Sequence, residues 1–389
     1  MAKTRIDGDC DARFDRVRDA FAENFDRRGD VGAAVAVTID GKPAVDLWGG
    51  YADKARKRPW TRETLVNVYS ATKGVTATCL NRLVDQGRVD LDAPVARYWP
   101  EFAQAGKERI PVRWLLSHRA GLPAIRKPLP SDALMRWDLM TAALAEQEPW
   151  WEPGTKHGYH ALTFGHLVGE VVRRVTGKSV GTYCREEIAG PLGIDFHIGL
   201  DARDDNRCAE VIAAPSPAPG QPNPLGDAAR NPESMTAKAV NNPAGALKLS
   251  TINSRTWRGA EIPAANGHTN ARALSRFYGV LARGGELERV RILSAEQIER
   301  CRTEESNGID AVMSVPMRFG LGYRLTQPVA KYGPNQHAFG HTGAGGSLGF
   351  ADPDAKLGFA YTMNQMGTQI LLDPRVAALL EAIYTVLGQ

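Results

Sequence analysis

The stretch Ser70-Ala71-Thr72-Lys73-Gly74-Val75-Thr76-Ala77-Thr78-Cys79-Leu80-Asn81-Arg82-Leu83-Val84 decides how the chain is read. Val75, Cys79, Leu80, Leu83 and Val84 recur at helical spacing and Gly87 follows as a stop, so a helix begins at or just after Ser70. Three-residue spacing at its start puts the Ser70 hydroxyl and the Lys73 amine on one face, within side-chain reach. A serine hydroxyl is a weak nucleophile until a base removes its proton. Lysine can be that base only when neutral, which requires desolvation or nearby positive charge to pull its pKa below about 10.4. The helix N-terminus adds outward N–H groups and a dipole that favours developing negative charge. An isolated S-x-x-K is ordinarily an N-cap beside a solvated lysine, so the surroundings must decide.

Upstream, Phe14, Val17, Phe21 and Phe25 mark an amphipathic helix stopped by Gly29, and residues 33–38 and 44–48 read as a hairpin around Asp40-Gly41. Downstream, helical stretches are expected at 112–117, 131–147, 162–176 and 270–281. Strands follow at 347–351 and 357–363 around Asp352-Pro353-Asp354, and Asp373-Pro374 opens a last helix. Strands at both ends with helices between predict a sheet assembled from the two termini. Residues 213–245 carry seven prolines (215, 217, 219, 222, 224, 232 and 243) and read as one long irregular loop, either bordering a site or a surface excursion.

The 389 residues, 43% hydrophobic and 24% charged, suffice for one large domain or two interleaved ones. The net charge of +4 is mild and the basic residues are scattered, so no nucleic-acid partner is expected; the cluster Lys54-Ala55-Arg56-Lys57-Arg58 reads as a solvated turn. Five widely separated cysteines without CxxC spacing fit reduced thiols. The N-terminus lacks an apolar signal and no later run approaches a membrane span, so the chain reads as cytoplasmic with no membrane partner. Nothing in the sequence sets an oligomeric state.

Two further elements carry chemistry. Pro153-Gly154-Thr155-Lys156-His157-Gly158-Tyr159 places before a helix a tyrosine that could shuttle a proton, although a lone tyrosine is usually packing. Gly340-His341-Thr342-Gly343-Ala344 precedes a strand, and its glycines permit close backbone approach to a substrate. A free N–H there could complete an oxyanion hole with that of Ser70.

In this order and at these intervals, the three elements resemble the class C β-lactamases, the penicillin-binding D,D-peptidases and, most closely, the family VIII carboxylesterases. The resemblance runs from about residue 30 to 365. It includes residues 51–65, Trp114-Leu-Leu-Ser-His-Arg-Ala-Gly-Leu122, Val175-Thr-Gly-Lys178 and Gly190-Pro-Leu-Gly-Ile194. It implies an α/β (α+β) architecture of the β-lactamase/penicillin-binding-protein type, with an antiparallel sheet flanked by helices. Residues 1–75 and 265–389 would form the α/β domain and 76–264 an inserted, mostly helical one.

By the same resemblance, Ser70 is the acylated nucleophile, Lys73 its partner and Tyr159 the third catalytic residue. The Ser70 and Ala344 N–H groups form the oxyanion hole, and His341, Thr342 and Gly343 contact a small-molecule ester. No metal or organic cofactor is implied. Whether Lys73 or Tyr159 is the base stays open. Two departures stand out: Ala161 replaces the asparagine of the β-lactamases, and His341 replaces the lysine of their Lys-Thr-Gly. Both weaken recognition of an anionic amide, so a carboxylesterase for short, neutral esters is expected. A class C-like β-lactamase, a D,D-peptidase or an acyltransferase of the same superfamily is the alternative, and a non-enzymatic relative would have lost the serine or the lysine.

Two other patterns are set aside. Gly345-Gly346-Ser347-Leu348-Gly349 matches the G-x-S-x-G nucleophile elbow, but no histidine follows Ser347, the last being His341. His157, His160, His166 and Glu170 fit no metal-ligand spacing and read as surface or hydrogen-bonded side chains.

Overall fold

The protein is described by a computed structural model covering residues 3–216, 224–369 and 371–389. Nine strands form one fully antiparallel sheet: β1 (Ile6–Cys10), β2 (Gly32–Ile39), β3 (Lys42–Gly50), β4 (Ser306–Ile309), β5 (Pro316–Phe319), β6 (Arg324–Leu325), β7 (Phe339–Thr342), β8 (Leu348–Asp352) and β9 (Leu357–Met363). Their order, β1-β3-β2-β9-β8-β7-β6-β5-β4, joins both ends of the chain through the β2–β9 pair, as expected. The β2–β3 hairpin turns on Asp40 (φ 49°) and Gly41 (φ 75°), two left-handed residues whose twist matches the flanking strands.

Alternation along β2 sends Val35 and Val37 to one face and Ala34 and Ala36 to the other. The larger side chains meet helices α1 (Asp15–Arg27) and, at the C-terminus, Pro374–Val386, through Val17, Phe21, Leu379 and Ile383. Burying each of these stabilises the fold by about 1.5–3 kcal/mol. The small face lets the helix Ala271–Ala282 lie close: a Cβ on Gly358 would stand 2.3 Å from the Gly279 nitrogen.

The helical body is organised around α2 (Thr72–Asp85). Its apolar face was legible, yet nearly every residue from Thr72 to Val84 is buried, because the helix is surrounded rather than laid on a surface. Its polar side chains are therefore bonded internally: Thr76 Oγ1 donates to the Pro263 carbonyl (2.7 Å) and Asn81 Nδ2 to that of Leu321 (3.0 Å).

Three expectations need correction. Residues 213–245 are not one irregular loop: helices run over Pro224–Arg230 and Met235–Val240. Pro224 opens the first, where no N–H is needed, and Ser234 caps the second by accepting from the Ala237 N–H (2.9 Å), so these prolines punctuate helices rather than forbid them. The prolines at 217, 219 and 222 lie outside the described residues. The helix expected over 131–147 is confined to α3 (Trp137–Glu146), since Arg136 is extended. Strands β1, β4, β5, β6 and β7 had no sequence counterpart: β4 to β7 are too short for alternation to register, and β1 carries Asp7, Gly8 and Asp9 in place of an apolar pattern. Among the described residues no helix is long and apolar enough to cross a membrane, and all five cysteines are free.

Candidate active site

The chain enters the site through the short strand Val66–Asn67 and turns at Tyr69, whose φ of 46° is unusual for an aromatic residue and costs about 1–3 kcal/mol. The turn is held from several sides. Thr72 Oγ1 donates to the Tyr69 carbonyl (2.5 Å) and accepts from the Gly267 N–H (2.8 Å), while Tyr69 Oη donates to Met366 Sδ (3.5 Å). Ser70 thus stands half-buried at the N-terminal end of α2.

Lys73 is fully buried. Its Nζ lies 2.8 Å from the Ala161 carbonyl oxygen, 2.9 Å from that of Ala264 and 3.1 Å from Ser70 Oγ. Two acceptor-only carbonyls fix two N–H bonds, so in a neutral amine the lone pair is left facing the serine hydroxyl. Burial pushes the Lys73 pKa well below its ordinary value, towards that neutral form. Lys73 Nζ also sits 4.8 Å from the centre of the Tyr159 ring. Burial raises the Tyr159 phenol above its ordinary range, opposed by a hydrogen bond with Ser70 and by the charge of Arg324.

Tyr159 is positioned by its neighbours. Its N–H donates to Asp310 Oδ1 (3.0 Å), which also accepts from the N–H groups of Val312 (2.9 Å) and Met313 (2.8 Å). Its ring packs against His118 (5.0 Å between centroids), whose Nδ1 accepts from the His160 N–H (3.1 Å). His160 in turn bonds the Leu122 N–H (3.0 Å) and the Gly158 carbonyl (2.7 Å).

On the facing strand, Thr342, Gly343 and Ala344 border the same cleft as Ser70 and Tyr159, a space of about 200 Å³ whose apolar wall includes Met313, Met317 and Met366. Gly343 is required for the close approach, since a Cβ there would lie 2.1 Å from the Val68 carbonyl oxygen. Among the described residues the Ala344 N–H donates no hydrogen bond.

His341 is buried beside the reacting side chains rather than among those bordering the cleft: it lies 6.0 Å from the Tyr159 ring centre, with Nδ1 bonded to the Thr342 carbonyl (2.7 Å) and Nε2 without a partner among the described residues. Burial, reinforced by the charges of Lys73 and Arg324, holds its pKa well below the usual value. The inferred loss of a fixed cation is also corrected. Arg324, paired with Gly340 in the sheet register, reaches the cleft and donates to Thr342 Oγ1 (2.6 Å). Arg324 and Asp310 escaped the sequence reading because neither belongs to a motif; cross-strand register and backbone contacts alone bring them in.

Ser347 is fully buried and its Oγ has no partner among the described residues. The four residues weighed as metal ligands are not assembled as one: Glu170 binds Arg173, Arg174 and the Trp137 indole, and His157 faces Asp310 at 3.8 Å. No group of three or more such side chains could hold a metal among the described residues.

Comparison with known proteins finds matches over most of the chain. The beta-lactamase family model matches residues 17–382. The esterase/beta-lactamase LipL of Mycobacterium tuberculosis is 38% identical over 95% of this chain and 86% of its own length. The crystal structure of a family VIII carboxylesterase superposes with a TM-score of 0.90 at 46% identity, covering 98% of this chain and 100% of that one. A penicillin-binding protein homologue from Caulobacter crescentus gives 0.89 at 39% identity, covering 98% and 100%. With this fold, these shared spans and a serine–lysine pair at the cleft, the chain belongs to the beta-lactamase family of serine hydrolases.

Proposed function

We propose that the protein is a carboxylesterase that hydrolyses short-chain esters through an acyl-Ser70 intermediate. The observation that carries this reading is the desolvated Lys73 amine, tied to two carbonyls and 3.1 Å from Ser70 Oγ. Lys73 takes the hydroxyl proton as Ser70 Oγ attacks the ester carbonyl, and the N–H groups of Ser70 and Ala344 receive the oxyanion. The hydrogen-bond geometry of Lys73, with the opposite directions in which burial shifts the two groups, supports Lys73 as the base and Tyr159 as the phenol that passes the proton on to the leaving alcohol. Water then attacks the acyl-serine, its proton returning through Lys73, and the carboxylic acid leaves.

The size of the cleft supports a short acyl group, about 200 Å³ being below the roughly 300–1,000 Å³ usual for drug-sized ligands. The names borne by the two similar proteins above, a carboxylesterase and an esterase/beta-lactamase, point the same way. Arg324 favours a second reading, in which an anionic substrate such as a β-lactam or a D-Ala-D-Ala peptide is turned over, because its cation stands in the cleft. Parallel kinetics with p-nitrophenyl butyrate, nitrocefin and a D-Ala-D-Ala peptide test the choice. The ester is expected to have the highest kcat/KM; a nitrocefin value equal or higher overturns the esterase assignment.

A further inference from the structure

Two residues before Tyr159 stands a buried histidine that the reaction above does not use. His157 Nε2 is sealed inside without a hydrogen-bond partner among the described residues. Opposite it is Asp310, whose carboxyl group is occupied on one side only. Oδ1 accepts from the N–H groups of Tyr159, Val312 and Met313, while Oδ2 is buried, has no partner among the described residues and faces His157 Nε2 at 3.8 Å. That separation is about 1 Å longer than a hydrogen bond, yet too short for a bridging water, since two hydrogen bonds of about 2.8 Å meeting at one oxygen span about 4.5 Å. A donor and an acceptor, each costly to leave bare, therefore face each other directly.

The two backbones are already joined, the Ala311 N–H donating to the His157 carbonyl (3.0 Å), so rotation of the side chains is enough to close the gap. The other charged and titratable groups facing the pair are His118 and Arg119 and, on its own segment, Tyr159. Burial lowers the His157 pKa, opposed by Asp310 and reinforced by Arg119, which keeps the imidazole neutral with one N–H. Burial raises the Asp310 carboxyl, opposed by the three backbone N–H groups and by His157. The imidazole has one proton to place, and a carboxylate already bonded through Oδ1 has Oδ2 free to receive it.

We propose that His157 is a positioning residue for the reaction: its Nε2–H closes onto Asp310 Oδ2, and the pair holds Tyr159 in place for proton transfer to the leaving alcohol. Without that donor the second carboxyl oxygen is buried bare. The carboxyl then rotates or takes a proton, and either change slackens the three N–H bonds on Oδ1 and with them the placement of Tyr159. His157 does not border the cleft, so it acts through Asp310 and not on the substrate. The inference rests on the acyl-Ser70 reading above.

The test is the ratio of kcat/KM for ethyl butyrate, whose alkoxide leaves only with a proton, to that for p-nitrophenyl butyrate, whose nitrophenolate leaves without one. His157→Phe, which keeps a ring and removes the N–H, is expected to lower the ratio about tenfold, part of the roughly 10²–10⁴ that a placed proton donor contributes. His157→Gln, whose amide N–H reaches the same oxygen, should stay within about threefold of wild type. Asp310→Asn added to His157→Phe removes the bare charge, keeps an acceptor for the Tyr159 N–H and should restore most of the ratio. An unchanged ratio in His157→Phe, equal losses in the Phe and Gln variants, or no recovery in the double variant overturns the role. In the wild-type protein, nitrogen NMR of the imidazoles should show His157 as the Nε2–H tautomer, its signal assigned by its loss in His157→Gln. The Nδ1–H tautomer overturns the pair whatever the variants do. Failure of wild-type Ser70 to take a fluorophosphonate label sinks the acyl-Ser70 reading itself, and the role of His157 with it; a labelled Ser70 beside the wrong tautomer sinks this inference alone.

Discussion

Ser70 and Ser347 invite comparison because each follows a left-handed residue, Tyr69 at φ 46° and Gly346 at φ 120°, and each leads into a regular element, α2 and β8. Both also match short patterns associated with nucleophiles. Their surroundings differ in every respect that chemistry needs. Ser70 borders the cleft with an amine 3.1 Å from its hydroxyl, whereas Ser347 is sealed inside, its carbonyl accepting from the Gly343 N–H (2.6 Å) to close a turn. A glycine-rich pattern reports a tight turn; a nucleophile also requires exposure and a base.

The largest effect expected follows from that contrast. Ser70→Ala should lower kcat by about 10³–10⁶ with the fold intact, the scale seen when a catalytic serine is lost. Ser347→Ala should retain most activity, and a fluorophosphonate adduct should map to the Ser70 peptide. An adduct on Ser347 in a protein whose Ser70→Ala variant stays active would reverse the assignment.

A second prediction sharpens what surrounds the reacting pair. Asp310→Ala removes the acceptor of three backbone N–H groups, including that of Tyr159. It is expected to reduce kcat by about 10²-fold, the cost of a misplacement near 1 Å, with a smaller change in KM. Asp310→Asn keeps an acceptor oxygen and should lose less. Equal losses in the two variants would mean that Asp310 acts through charge rather than by holding Tyr159.

The third concerns the cation. Arg324→Gln should lower the ratio of anionic to neutral ester turnover by about tenfold, the loss expected when a charge-assisted hydrogen bond of ~1.5–3 kcal/mol is removed. His341→Lys, which buries a second ammonium near Lys73, should instead depress thermal stability. If His341→Lys were stable and moved selectivity more than Arg324→Gln, the fixed charge would belong to position 341 after all.

The smallest effect is a pH slope. Burial lowers His166 to about 4 and His160 and His268 to about 3, from an ordinary 6.5. Between pH 6.5 and these values the unfolded chain binds protons that the folded chain excludes, so stability falls as pH drops through this window. The buried carboxyls of Asp30 and Asp310, raised by burial, act in the opposite direction. Urea midpoints at pH 7 and 5 should show the net loss, and His268→Asn should flatten it; an unaltered slope would remove His268 from the account. For activity the sign is similar: Lys73 must be neutral, so kcat/KM should rise with pH through a limb well below 10.5.

Much of this was legible in the sequence where a local rule spoke clearly. The apolar spacing after Ser70 marked α2, Asp40-Gly41 marked the hairpin, and Asp373-Pro374 marked the last helix. The helices of the proline-rich segment are hidden from composition, because Pro224 stands at a first turn, where proline is tolerated, and Ser234 supplies a cap. The burial of His341 was not legible because a strand sends successive side chains to opposite faces, so Thr342 borders the cleft while His341 packs beside Tyr159.

The sequence by itself determined the serine–lysine pair, the helix that carries it and the family to which the chain belongs, because each rests on residues close together or on elements in a fixed order. Only the tertiary structure decided that Lys73 is desolvated between the carbonyls of Ala161 and Ala264, that Asp310 holds Tyr159, and that Arg324 supplies a cation to the cleft. Desolvation and long-range pairing are properties of what surrounds a residue in space, and in each of these cases the partners stand 88 or more positions apart or meet across neighbouring strands.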